Sequence, residues 1–304
     1  MGLSGCGGSG SALAACVLDE ACDPLSGEWR LGDDGPRTFV QVSAGMEHTC
    51  ALDDTGDAVC VGTDNHYESS PPEPGTLLQP VDRPLVAIAA GGASNCGLDE
   101  AGTIACWGHY SIVAPVTPSG TFVDIRYSGG LGCVLDEQGA LSCWGSDQPE
   151  GNEPPEGSFV DFGVGIRHGC ALDDEGRASC WGDVVDAPDE DVVFTQIDAG
   201  GRLTCGVRAD ASLSCFGYVD DEEESLLTPP EGRFTRVAVG HSNVCALEED
   251  GHIVCFGAEY TMLHMTPDEP FVDVTVGAGH ACGLRADGTA RCWGKNDDGQ
   301  LDLP

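Results

Sequence analysis

Apolar residues return to the same places seven times along the chain. Eleven residues before a recurring cysteine stand Phe39, Leu85, Phe122, Phe159, Phe194, Phe234 and Phe271; three further on come Val42, Ile88, Ile125, Phe162, Ile197, Val237 and Val274. These open a strand with one buried face. Five before the cysteine lies glycine in six units and Ser128 in the third, a tight turn between strands. Two after it come Leu52, Leu98, Leu135, Leu172, Val207, Leu247 and Leu284, keeping the period of two of a second strand.

The next turn is Asp53-Asp54-Thr55-Gly56, with Gly102, Gly139, Gly176, Gly251 and Gly288 in the same slot. A three-residue hairpin loop ends on a left-handed residue there, which glycine supplies without a Cβ penalty. Ala211 in the fifth unit should therefore be strained. With Asp53 and Asp57 closing the loop, counting outward sets Cys50 opposite Cys60, about 4.5–5.5 Å apart between Cα atoms and within reach of a disulfide.

The 17 cysteines are Cys6, Cys16, Cys22 and seven pairs spaced by ten residues: Cys50/Cys60, Cys96/Cys106, Cys133/Cys143, Cys170/Cys180, Cys205/Cys215, Cys245/Cys255 and Cys282/Cys292. Structural zinc favours pairs two to four residues apart, so the spacing points to disulfides and no metal is expected. Pairing Cys16 with Cys22 leaves Cys6 over. Leu3-Ser4-Gly5-Cys6 looks like a bacterial lipobox, whose cysteine is lipidated, although the charged and apolar regions of a signal peptide do not precede it. The chain is expected outside the cytoplasm, secreted or as a lipoprotein of the cell envelope.

After the second cysteine of each pair stand Val61, Trp107, Trp144, Trp181, Phe216, Phe256 and Trp293, each followed by glycine. The six rings among them read as wedges between neighbouring repeats. Successive units are separated by 46, 37, 37, 35, 40 and 37 residues. A period near 40 residues with a few short strands signals a propeller. The expected fold is all-β: a seven-bladed β-propeller over residues 27–304 with one hairpin disulfide per blade, units starting near residues 39, 85, 122, 159, 194, 234 and 271, and residues 1–26 as a lead or tether.

Charge narrows the partners. Thirteen basic against 51 acidic residues give a formal net charge of -38. Such a chain repels phosphate backbones, so no nucleic acid is expected, and membrane contact only through a lipid anchor. Basic proteins, cations or a salty medium fit better, and plain solubility explains the charge most simply.

The repeat frame resembles the regulator of chromosome condensation repeat family, most fully in Gly277-Ala278-Gly279-His280-Ala281-Cys282-Gly283-Leu284 and Trp293-Gly294-Lys295-Asn296-Asp297-Asp298-Gly299-Gln300-Leu301. The resemblance covers residues 39–304 and implies a seven-bladed ring. The earlier units depart from it, lacking the asparagine and glycine-glutamine-leucine tail. Nuclear members bind chromatin and promote nucleotide exchange on a small GTPase; the charge and the cysteines of this chain argue against both roles. The resemblance also implies that His48, His168 and His280, two before the first cysteine, are structural and bond backbone within the blade.

Tyr67, Tyr110, Tyr218 and Tyr260 fall in loops after the aromatic-glycine motif, and Tyr127 at a first-to-second turn, which places all five on one face. With His66 and His109 they form the candidate surface for a protein partner. Rings merely packed between loops are the other reading. No catalytic constellation is present, and neither an enzyme nor a cofactor is expected. A cell-surface polysaccharide hydrolase or lyase is the alternative, and it would need inward-pointing carboxylates with raised pKa values at the central channel. The chain is expected to be a monomer.

Overall fold

The computed structural model describes residues 37–62, 83–108, 117–145, 153–189, 191–219, 226–257, 263 and 265–304. Thr38–Pro304 is one compact unit. The expected lead, with Cys6, Cys16 and Cys22, lies outside the described residues.

The described strands form seven antiparallel sheets of three strands each, in sequence order. The first blade has Phe39–Ala44, His48–Asp53 and Ala58–Gly62. Period-two burial appears where expected: in Phe39–Ala44, Phe39, Val42 and Ala44 are buried while Val40 is exposed. The inner strands of the other blades are Leu85–Ala90, Phe122–Ser128, Asp161–Val164, Phe194–Gly200, Phe234–Val239 and Asp273–Val276. A four-stranded blade would place its outer strand after the aromatic-glycine motif, and several of those segments lie outside the described residues. In the fourth blade residues 183–189 are described and contain no strand.

Each cysteine pair faces itself across the second and third strands, as Cys50↔Cys60 and Cys170↔Cys180 do. All seven expected pairs are disulfides: Cys50–Cys60, Cys96–Cys106, Cys133–Cys143, Cys170–Cys180, Cys205–Cys215, Cys245–Cys255 and Cys282–Cys292. Their Cα atoms are 4.0–4.1 Å apart, closer than the expected window. Such directly opposed, non-hydrogen-bonded positions are where two strands approach most closely.

The two halves of a staple are not equivalent, although the sequence treats them alike. The first cysteine is buried in every blade, whereas Cys106, Cys143, Cys180, Cys215 and Cys292 are only half-buried; Cys60 and Cys255 alone among the second cysteines are buried. The second strand is covered on both sides by its neighbours, while the third is the outermost of the described sheet. Each half-buried cysteine still packs on the following blade's core: Cys106 beside the cluster of Phe122 and Ile125, Cys143 beside that of Phe159 and Phe162, Cys180 beside that of Phe194 and Ile197, Cys215 beside that of Phe234, and Cys292 beside that of Phe39 and Val42.

The aromatic after the pair packs on the preceding blade: Trp107 joins Cys50, Leu52 and Cys60, and Trp293 joins Cys245, Leu247 and Cys255. Burying an indole against sulfur and leucine in this way contributes a few kcal/mol per junction.

Hairpin glycines tie the blades together. Gly56, Gly102, Gly139, Gly176, Gly251 and Gly288 have φ of 71–91°, and Ala211 holds the same conformation at 68°. The carbonyl of each accepts the first amide of the next blade: Leu85 N donates to Gly56 O at 2.9 Å and Phe234 N to Ala211 O at 2.8 Å. Phe39 N donates to Gly288 O at 2.6 Å, so the seventh blade is joined to the first by the same bond. The ring has two faces. The hairpin face carries these turns and the starts of the inner strands; the loop face carries the first-to-second turns and the ends of the third strands.

The tail completes the junction. Thr49 Oγ1 donates to Gln300 O at 2.8 Å, and Leu303 packs with Phe39, Val42 and Leu284.

Candidate functional site

Inner strands present a free edge to the ring's centre, where unpaired amides would cost free energy. Side chains nine and seven residues before the first cysteine solve this by capping the next blade. Gln41 both accepts from Ile88 N and donates to Ile88 O, each at 2.9 Å. Ser43 Oγ accepts from Ala90 N at 2.9 Å, and Thr275 Oγ1 from Ala44 N at 3.1 Å. Asp161 Oδ2 accepts from Ile197 N at 2.9 Å, and Asp198 Oδ2 from Val239 N at 2.8 Å.

Between these strands lies a cavity of about 180 Å³ lined by Arg126, Asp198, Arg236 and Asp273 together with Gln41, Ser43 and Thr275. Arg126 lies 3.2 Å from Asp124 and 3.8 Å from Asp161; Arg236 lies 2.7 Å from Asp273. Burial pushes Asp198 up to about 6, against the pull of the Val239 amide and Arg126. Burial likewise raises Asp161, opposed by Arg126. The channel therefore holds carboxylates that each cap an amide, balanced in part by two guanidinium groups. Sequence reasoning did not single these residues out, although their alternation with buried Val42-type positions was a usable signal.

A second polar belt sits deeper, between second strands. His48 Nε2 donates to Asn95 Oδ1 at 2.7 Å, His168 Nε2 pairs with Thr204 Oγ1 at 2.9 Å, and His280 Nε2 with Thr49 Oγ1 at 2.9 Å. Each partner is a side chain of the neighbouring blade, and His168 also bonds the Leu203 backbone there, which corrects the expectation of bonds within the blade: they cross a junction. Because Thr49 gives its proton to Gln300 O, His280 must be the donor to Thr49. Burial lowers His168 to about 4 and His280 to about 3.

On the loop face, Tyr218 is 47% exposed, and its ring is covered by the Arg202 guanidinium 4.9 Å from the centroid. Tyr127 differs from expectation. It lies within the inner strand, is 7% exposed, bonds Ser94 through its hydroxyl at 2.8 Å and stacks on Trp144. It packs a blade junction and offers no contact surface, because it fills the slot six before the first cysteine, which is buried in every blade as Ala44, Ala90, Val164, Ala199, Val239 and Val276. Tyr67, Tyr110, Tyr260, His66 and His109 lie outside the described residues. The half-buried cysteines Cys106, Cys143, Cys180, Cys215 and Cys292 are all held in disulfides and bring no free thiol to either face. Among the described residues one group of carboxylates, Asp173, Asp174 and Glu175, is close enough to share a cation, but Arg177 already pairs with Asp173 and Glu175.

Two segments, residues 39–68 and 271–300, match the Regulator of chromosome condensation (RCC1) repeat. The first and last blades thus carry RCC1-type repeats. No curated protein matches the chain. Among solved structures, the CRINKLY WD40 ectodomain of the Arabidopsis thaliana receptor kinase ACR4 is similar with a TM-score of 0.71 at 20% identity, over 88% of this chain and 100% of that one. The entire ectodomain of the Physcomitrella patens receptor kinase CR4 gives 0.70 at 22% identity, over 85% and 74%. Yeast RCC1 (Prp20), solved with Kap60 bound, gives 0.60 at 16% identity, over 88% and 82%. At these identities the likeness is one of fold, and it agrees with the blades counted from the sequence.

Proposed function

We propose that this chain is an exported scaffold that recognises a protein through the loop face of its propeller, with residues 1–26 as a lead carrying a lipidated Cys6 and residues 27–304 as the recognition domain. The observation that carries the reading is Tyr218, a large ring left in solvent and held in place by Arg202. An aromatic fixed before binding loses little entropy when a partner covers it. Seven disulfides fit an oxidising compartment, and one similar propeller is seen with a protein bound. The test is to isolate the partner by cross-linking the native chain and then to compare Tyr218→Ala. Capture should fall by about tenfold or more with the melting temperature unchanged; unchanged capture would remove the loop face from the account.

One observation favours a second reading, a polysaccharide hydrolase or lyase working at the channel: Asp198, with its pKa near 6, is placed to hold a proton at mildly acid pH. Against it, the Asp198 and Asp161 carboxylates are already spent on backbone amides. Turnover of an acidic or neutral glycan that disappears in Asp198→Asn would establish the enzyme.

A further inference from the structure

The hairpin face carries a pattern that the tyrosine-bearing face does not use. Ten residues before the first cysteine, within or just before the inner strand, every blade places a side chain in solvent: Val40, Val86, Val123, Val160 and Val272 are 52–62% exposed, and Thr195 and Thr235 occupy the same slot. In five blades a bulge falls at this residue, as between Phe39 and Gln41, and a bulge re-aims the side chain it carries. Strand propensity accounts for a β-branched residue in this slot but not for valine over threonine in five of seven blades; the five fall in consecutive blades, from the seventh round to the fourth, as an apolar collar on the hairpin face. Between the third and fourth blades the collar opens into a shallow groove, with Val123, Val160 and Phe159 on its walls and Glu137 at its edge.

Charge identifies what the collar suits. Every hairpin outside it exposes a carboxylate: Asp54, Glu100, Glu137, Asp174, Asp210, Glu249 and Asp287; the arginines nearby, Arg83, Arg177, Arg233 and Arg285, are each paired with a carboxylate, Arg233 with Glu249, so acid remains in excess. A second copy of this face would set acid against acid, and the chain's own leading residues, with Asp19, Glu20 and Asp23, would be repelled in the same way. We propose that the hairpin face is a docking surface for a cationic protein segment whose aliphatic side chains sit on the valine collar while its lysines or arginines meet the hairpin carboxylates. Apolar contact in the centre with charge at the rim is the usual division of labour in a protein interface. This surface is independent of the loop face, and either can fail without the other.

The test uses the full chain and three fluorescent peptides of equal length: an amphipathic lysine–leucine helix, a lysine-only peptide of the same charge, and a glutamate–leucine helix. Replacing all five collar valines by threonine keeps the fold, since Thr195 and Thr235 already fill that slot; a second variant is Asp54→Asn with Glu100→Gln and Glu137→Gln. The lysine–leucine peptide should bind saturably. Both variants should weaken it by about tenfold or more, and Tyr218→Ala should leave it unchanged. Equal binding of the lysine-only peptide, or of the five-threonine variant, would mean diffuse charge attraction and overturn the proposal. Binding of the glutamate–leucine peptide would overturn the charge argument. Self-association abolished by the threonine variant would make a second copy the occupant, and displacement of the probe by a peptide of residues 11–27 would make it the lead.

Discussion

Ala211 is the residue at which the local rule and the fold disagree. It holds φ at 68° where six glycines stand, because the Phe234 amide needs its carbonyl. A left-handed alanine costs about 1 kcal/mol relative to glycine, so Ala211→Gly should raise stability by about that amount in a denaturant melt. The reverse change, Gly56→Ala, should cost more, because its Cβ would come 2.8 Å from Pro84 Cβ and 2.9 Å from Leu85 O. The buried histidines give the molecule a pH limit. His168 and His280 titrate at about 4 and about 3 in the folded chain, below the ordinary 6.5. Between those values the unfolded chain binds the extra protons, so stability is full above pH 6.5 and falls as pH drops, by about 3 kcal/mol per histidine at pH 4. Asp198 works in the opposite direction, since its raised pKa lets the folded chain take a proton first, and it offsets part of the loss. Melts from pH 7.5 to 4 should show a steep acid limb that His280→Gln flattens. Single side chains were the least legible in the sequence: Tyr127 and Tyr218 read alike there, and only the packing of Ser94 and Trp144 separates them.

At the scale of the hairpin, sequence and structure coincide, because its determinants are local. Asp53 Oδ1 accepts from Thr55 N and Asp57 N, and Asp99, Asp136 and Asp173 repeat the pattern. Part of the acidity is therefore turn chemistry, with side-chain carboxylates mimicking a backbone turn. The cysteines then close a short loop across the same two strands. Replacing Cys170 and Cys180 together by alanine should lower stability by about 2.5–3 kcal/mol in the chain-entropy model, measured by denaturant midpoint under oxidising conditions, and the blade should still fold. The inner strands were half legible. Their apolar positions announced a buried face, but the polar alternates gave no sign whether they meet water, a channel or the next blade. Gln41, Asp161 and Asp198 prove to cap a neighbouring edge, a role that exists only once the next blade is docked.

Closure belongs to the whole molecule. The first and seventh blades share Phe39 N to Gly288 O, His280 with Thr49, and Thr49 with Gln300 O. Removing residues 300–304 would uncover Phe39 and Val42 and strip Thr49 of an acceptor, so a chain ending at Asn296–Gly299 should melt several degrees lower. The repeat count announced the ring but not what completes it; the tail's part is visible in Gln300 and Leu303, which pack where the blades meet. Each blade of the ring is stapled by its own disulfide, a bond that persists only under oxidising conditions. Intact-mass analysis of natively isolated protein, alkylated before and after reduction, tests it most directly. The seven blade pairs should resist alkylation until reduced; blade cysteines found free in the native chain would contradict both the stapled fold and the exported scaffold built on it.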